Sequence, residues 1–452
     1  MSTPNVPEPA EDHPFVRHPH RTLLTLSIPM VGSLVAEPLT GVVDSLLVAR
    51  LGTQPLAALG VAVPLLSLVL FAFNFLSIGT QTLVAKALGA GDPEGARATG
   101  GLAVALGLSL GVGLALAGAA AAGPTVRWMG ADETTFAPAV TYLHIRLLGA
   151  PAVLATMAAF GALRGVQDLQ TPLWIAVATN TLNLLLDIAL IFGVGPFPRL
   201  ELAGAAWASC AAQWLGAGAA LYGVVMRLGV TPRLDWRGAR QLLVVGSDLF
   251  LRTALLLTFI TLAGRAAMRL GAEAGAAHAL IRSIWMLAAF FLDAFAVVAQ
   301  SLVGYFVGAA RIDLARRVAA TCMSWSLATG LLAGALMLAG TPWLLAALPE
   351  EARPMAGAAW TVAALSQPIN ALSFGTDGVH WGTGDYRFLR NAMLLATAVG
   401  AAGLSLGLPV GQQPLAEVWW VTTAWVTVRA GAGLLRIWPG IGRAPLHSDS
   451  PH

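Results

Sequence analysis

Six carboxylates stand inside stretches that otherwise stay apolar for roughly twenty positions: Glu37, Asp44, Asp187, Asp248, Asp293 and Asp377. A charge in such a setting is costly, which makes each a candidate for function. Glu37 and Asp44 are seven positions apart, two helical turns, and so share one helix face. Asn183 and Asp187 are one turn apart in another stretch, with Asn180 on the same side. Two helices therefore present carboxylates, and one of them adds amides. A desolvated carboxylate beside a second one takes up a proton or holds a cation. Either event changes the local charge by one unit, enough to bias a helix that has two shapes. Pro29 and Pro38, in the stretch that carries Glu37 and Asp44, remove backbone bonds and give that helix places to bend.

The second half of the chain is more balanced in charge. Asp248 and Arg252 are four apart and read as an ion pair along one helix, a polar network that Asp293 can join, with Asp377 on a later span. Arg265 and Arg282 lie in the same half, and Arg146 near one end of the fourth span. His144, His278 and His380 fall near span ends without metal-ligand spacing and read as hydrogen-bonded packing residues. Cys210 and Cys322, each in an apolar block, read as buried thiols, so neither a metal site nor a disulfide is expected. Asp-Asp-x-x-Asp, His-Glu-x-x-His, Gly-x-Ser-x-Gly and a nucleotide loop are all missing, which argues against an intramembrane enzyme and against ATP as the energy source.

The elements that must position these groups follow from composition. Of 452 residues, 57% are hydrophobic and 11% charged, and mean hydropathy is +0.73. No aqueous surface can be covered with so few polar groups, whereas a bilayer solvates apolar side chains. Alternating ten-residue strands are absent, so the reading is an all-α integral membrane protein with about twelve spans. They are placed at 24–49, 57–88, 97–122, 137–163, 172–195, 202–226, 241–268, 276–309, 314–340, 355–381, 389–409 and 414–437. Sixteen of the 26 Lys and Arg fall in the tails and even-numbered loops and five in the odd-numbered loops. Positive loops stay in the cytoplasm, so both termini are expected there. The arginines are scattered at span ends without a soluble basic face, which excludes nucleic acid as a partner. Met1 to Pro19 carries no cleavable signal pattern, so the first span is expected to direct insertion.

The chain also repeats itself. A shift of 219 pairs Phe71, Gln81, Leu83, Val84, Gly89 and Ala90 with identical residues from Phe290 to Ala309, and sets Asn74 on Asp293. A shift of 217 pairs Pro151 with Pro368, Gly165 with Gly382 and Asp168 with Asp385. Two stretches at nearly one offset predict two pseudo-symmetric six-helix lobes of like orientation. The expected organisation is a cytoplasmic tail 1–21, an N-lobe 22–228, a cytoplasmic linker 229–240, a C-lobe 241–437 and a cytoplasmic tail 438–452.

The run from Pro29 through Pro38-Leu-Thr-Gly-Val-Val-Asp44-Ser resembles the first-helix signature of the multidrug and toxic compound extrusion (MATE) transporters. Gln81-Thr-Leu-Val-Ala-Lys-Ala-Leu-Gly-Ala-Gly-Asp92 and Asn183-Leu-Leu-Leu-Asp187 resemble their second and fifth helices. Asp248-Leu-Phe-Leu-Arg-Thr253, Leu292-Asp-Ala-Phe-Ala296 with Leu302-Val-Gly304, and Asp377-Gly378 with Arg390-Asn-Ala-Met393 resemble the DinF branch. The resemblance runs from about Thr22 to Arg436. It implies a V-shaped bundle of two lobes in the bacterial cytoplasmic membrane, a monomer surrounded by lipid that exports amphipathic, often cationic drugs or toxic metabolites. It further implies exchange for a proton or sodium at Asp44, Asn183 and Asp187, with Pro29 as the bend of the first helix. Family members often carry an asparagine where Ala155-Thr156-Met157 stand here, and some a tyrosine where Thr40 stands. With so few oxygen ligands, the proton is the expected coupling ion in preference to sodium, and no permanently bound cofactor is expected. A lipid-linked saccharide flippase of related architecture is the alternative; it would want more spans and a strongly cationic cleft.

Overall fold

The computed structural model describes residues 10–229, 231, 236–405 and 413–447, so the outer parts of the two expected tails and most of the centre of the expected linker lie outside the described residues. Everything described is helix, turn or coil. A short α1 (Pro14–Arg17) precedes α2 (Pro19–Ala49), α3 (Thr53–Ala72), α4 (Phe75–Gly89) and α5 (Pro93–Trp128). Then come α6 (Glu133–Leu147), α7 (Ala150–Gly165), α8 (Gln170–Phe192), α9 (Glu201–Arg227) and α10 (Trp236–Arg269). The rest are α11 (Ala272–Gly308), α12 (Ile312–Ala339), α13 (Thr341–Ala347), α14 (Arg353–Leu365), α15 (Gln367–Thr383), α16 (Tyr386–Ser405) and α17 (Pro414–Ile437).

Among the described residues, nine helical spans are long and apolar enough to cross a membrane, and the bent pair α6–α7 makes a tenth. The pair α14–α15 and α17 complete twelve; buried Asp377, His380 and Arg429 lower their hydropathy. Three spans expected as single helices are split in two. Between α6 and α7 the axis turns by 46°. Pro151 follows in the first turn of α7 and Pro368 in the first turn of α15. Proline has no N–H to donate and starts a helix more easily than it continues one. The span between α3 and α4 breaks at Phe73-Asn74, where Phe73 has left helical geometry. By contrast α2 runs unbroken through Pro29 and Pro38.

The repeat legible in the sequence reappears as packing. On α7, a Cβ on Gly161 would collide with the backbone of Ser77 on α4, and one on Gly165 would sit 2.9 Å from the carbonyl of Gln81. On α15, a Cβ on Gly378 would collide with the backbone of Ala296 on α11, and one on Gly382 would sit 2.8 Å from the carbonyl of Gln300. Each half thus brings two backbones together at two glycines one turn apart, the small-residue contact that membrane helices use in place of a hydrophobic drive. The turns match as well. Asp168 receives Arg227 at 2.9 Å, and Asp385 receives Arg436 at 2.8 Å.

By contacts the described residues form two compact units, one spanning 28–246 and the other 10–27 with 247–447. The division inside α2 falls between Ser27 and Ile28, directly before Pro29. The described part of the expected tail is therefore packed: Phe15 is fully buried with its ring 6.0 Å from that of Phe306, and Glu11 reaches Arg311 at 3.2 Å. The start of α6 is fixed by Asp132, whose carboxylate accepts from the side chain and backbone of Thr135 and from Thr134; those bonds hold its pKa below the usual carboxylate value.

Candidate functional site

The first unit brings the two predicted carboxylates together. Asp44 on α2 is half-buried and Asp187 on α8 is fully buried, and their side chains are within hydrogen-bonding reach of each other. While both are ionised each can only accept, so Asp44 Oδ1 and both oxygens of Asp187 are buried without a donor. Asn180 and Asn183 hold α8 in place around them. Asn180 donates to the carbonyl of Ala36 on α2 at 3.1 Å, and buried Asn183 donates to Ser209 of α9 at 3.4 Å. Glu37 lies on α2 with its side chain outside the described residues. Pro29 stands fifteen positions before Asp44 on the same continuous helix.

Two residues of this cluster were not assigned to it by sequence reasoning. Arg146, in the last turn of α6, acts electrostatically on Asp44 and on Asp187, and Tyr142, one turn earlier, is within hydrogen-bonding reach of its guanidinium. Arg146 Nε and Nη1 are buried without a partner. The signal was present, since Arg146 is one of few arginines inside a span. What placed it was the bend after Leu147, which no spacing rule supplies.

The second unit holds a different kind of cluster. Asp377 on α15 receives two guanidinium groups, Arg252 from α10 and Arg429 from α17, the latter at 2.9 Å. Asp248 on α10 receives Arg390 of α16 at 2.5 Å. The expected ion pair between Asp248 and Arg252 is therefore not made; each reaches across to another helix. An intrahelical pair would leave Asp377 to Arg429 alone and Arg390 facing no carboxylate, whereas the cross-helix arrangement gives each of the three guanidinium groups a carboxylate. Arg252 also lies over the ring of Trp381 at 5.3 Å and Arg429 over that of Trp425 at 4.6 Å. Asp293 is half-buried on α11. Among the histidines, His144 and His380 contact the carbonyls of Ala119 and Gly433, at 3.1 and 3.4 Å. His278 departs from its expected bonding: it packs 5.5 Å from Trp419 and neither ring nitrogen has a hydrogen-bond partner. Both cysteines are buried, and no group of three or more metal-ligating side chains occurs among the described residues.

The MatE family model matches residues 29–189 and 250–404, which takes in the Asp44–Asp187 cluster, Arg252, Asp377 and Arg390 of the second cluster, and most of both units. The chain belongs to the multidrug and toxic compound extrusion family. Its relatives include Protein DETOXIFICATION 44, chloroplastic, of Arabidopsis thaliana, 31% identical across 95% of this chain and 85% of that one. DNA damage-inducible protein F of Escherichia coli is 29% identical across 94% of this chain and 93% of that one, in keeping with the DinF resemblance. The fold is that of solved MATE structures. A MATE crystal structure in the bent conformation superposes with a TM-score of 0.86 at 21% identity over 93% of this chain and 95% of that one. A Vibrio cholerae MATE transporter gives 0.86 at 21% identity over 94% and 98%. This MATE chain is thus a multi-pass membrane transporter by family, and both buried clusters lie in its membrane-spanning helices.

Proposed function

We propose that the protein is a cation-coupled antiporter that expels amphipathic, often cationic small molecules across a bacterial cytoplasmic membrane by alternating access, with a proton as the coupling ion. The observation that carries this reading is the meeting of Asp44 and Asp187 among apolar helices, with three of their four oxygens lacking a donor. Two desolvated anions in contact call for positive charge, and a proton shared between the two carboxyls supplies it with the least room. Asn180 and Asn183 position α8 against α2 and α9, and Pro29 relieves α2 of one backbone bond where the helix passes from one unit to the other. Relatives named as multidrug resistance proteins, one from Thermotoga maritima among them, support drug efflux as the direction of use.

The cycle follows from charge. With the site deprotonated it favours a cationic substrate; a proton entering from outside neutralises it, releases the substrate and biases α2 towards its other shape. Replacing Asp44 by Asn mimics the protonated state permanently. In an exporter-deficient bacterial host, Asp44→Asn and Asp187→Asn are each expected to lose resistance to cationic dyes at unchanged membrane abundance. Full resistance with either variant rejects the assignment.

A further inference from the structure

Arg146 is a permanent cation beside a site that is read above as exchanging one. Its position is built rather than incidental. The helix that carries it ends one residue later, at Leu147, and the chain turns by 46° into α7. At the bend, Trp214 of α9 donates to the carbonyl of Leu148 at 3.1 Å, and Gln213 of α9 fills the space beside Gly149, where a Cβ would clash with its Oε1. α9 therefore fixes the end of α6 and with it the root of the Arg146 side chain. Tyr142 lies one turn back, fully inside the bundle. The guanidinium keeps two buried N–H donors unfilled, Nε and Nη1, in a cluster where three buried carboxylate oxygens also lack partners. Unmatched donors and unmatched acceptors of opposite charge in one bundle are held for something that comes and goes.

We propose that Arg146 is the resident counter-ion of the Asp44–Asp187 site, limiting it to one exchangeable positive charge and excluding sodium. The inference rests on the proton-exchange reading of that pair. The titratable and charged groups around it among the described side chains are Asp44 from α2, Tyr142 from α6, Asp187 from α8 and Cys210 from α9. With two carboxylates and one guanidinium the empty site carries a single net negative charge. One proton neutralises it. A monovalent organic cation does the same, so exchange of one for the other moves no net charge. Sodium meets a positive group where a further oxygen ligand should stand, and guanidinium, never deprotonated in a protein, cannot yield. When both proton and substrate have left, Nε and Nη1 can close on the carboxylates and stabilise the empty state.

The test uses purified full-length protein in proteoliposomes, with the monovalent cationic dye selected by the efflux assay. Wild-type dye–proton exchange is expected to be electroneutral, so a potential of either sign set with potassium and valinomycin leaves its rate unchanged, and radioactive sodium does not bind. Arg146→Gln, if it folds, is expected to hold the proton about tenfold more tightly, moving the half-maximal rate about one pH unit upward, and to bind sodium. Arg146→Lys, which keeps the charge, brings the profile back toward the wild type. Potential-driven wild-type exchange overturns the proposal whether or not any variant folds. So does a folded Arg146→Gln protein with the wild-type pH profile and no sodium binding. Undiminished transport by Asp44→Asn removes the reading underneath instead, and so separates the two failures.

Discussion

At the scale of single residues, the two buried clusters differ in what happens when one charge is removed. Asp377 is the anion between Arg252 and Arg429, and all three are buried. Changing it to Asn leaves two guanidinium groups uncompensated. Breaking a buried ion pair from one side costs about 3–5 kcal/mol. Asp377→Asn is therefore expected to lower the melting temperature in detergent strongly, and Arg429→Met less, since Asp377 keeps Arg252. In the other cluster the sign reverses: Asp44→Asn removes like-charge contact with Asp187, so the variant that loses transport is expected to melt no lower than the wild type. A thermal shift series on the three proteins checks both signs at once. A drop for Asp44→Asn as large as that for Asp377→Asn contradicts the division. Although Arg429 was not singled out, most of the residues that carry charge inside the membrane were legible from types alone. Their partners were not: Asp248 and Arg252, four apart, look paired along a helix, yet their partners Arg390 and Asp377 lie well over a hundred positions away.

At the scale of elements, the repeat allows one half to serve as a control for the other. After α4, Gly91 takes φ +73° with its N–H on Leu88 at 3.1 Å, followed by Asp92 N–H on Ala87 at 2.9 Å. After α11, 219 positions on, Ala310 takes φ +57° with its N–H on Val307 at 3.1 Å, followed by Arg311 N–H on Phe306 at 2.8 Å. The turn is the same left-handed helix ending, and only the first half places glycine in it. A side chain in this region costs about 1–2 kcal/mol, partly offset by the greater chain entropy glycine loses on folding. Ala310→Gly is thus expected to stabilise by about 0.5–1 kcal/mol, and Gly91→Ala to destabilise by a similar amount. Unfolding midpoints that move the same way in both variants contradict this. Sequence identities at Gln81, Val84 and Gly165 with their counterparts foretold the packing of α7 on α4 and of α15 on α11. The helix breaks were harder to foresee, because apolar runs continue across Phe73 and across Leu148 and hydropathy does not register a change of axis.

For the whole molecule, the arginines near the helix ends orient the bundle. The expected twelve spans match the helices, with α3–α4, α6–α7 and α14–α15 each counted once, and an even number returns the C-terminus to the side of the N-terminus. One set of helix ends carries few: Arg50 after α2, Arg127 in the last turn of α5, Arg199 between α8 and α9, Arg269 at the end of α10 and Arg353 at the start of α14. The other helix ends hold more: Arg311, Arg316 and Arg317 around one turn, Arg387 and Arg390 around another, and Arg227 and Arg436 in ion pairs with Asp168 and Asp385. Translocating the richer face would cost more at every one of these connections, so that face is expected to stay in the cytoplasm together with both termini. Because Cys210 and Cys322 are buried, cysteines introduced at exposed positions report sidedness without background. Phe197→Cys, between α8 and α9, and Ile441→Cys, after α17, leave the charge pattern intact and sit on surface that is 44% and 46% exposed. In intact cells a membrane-impermeant maleimide is expected to label the first and to reach the second only after the membrane is opened. Labelling of Ile441→Cys from outside reverses the orientation, and with it the side from which a proton enters to meet Asp44 and Asp187.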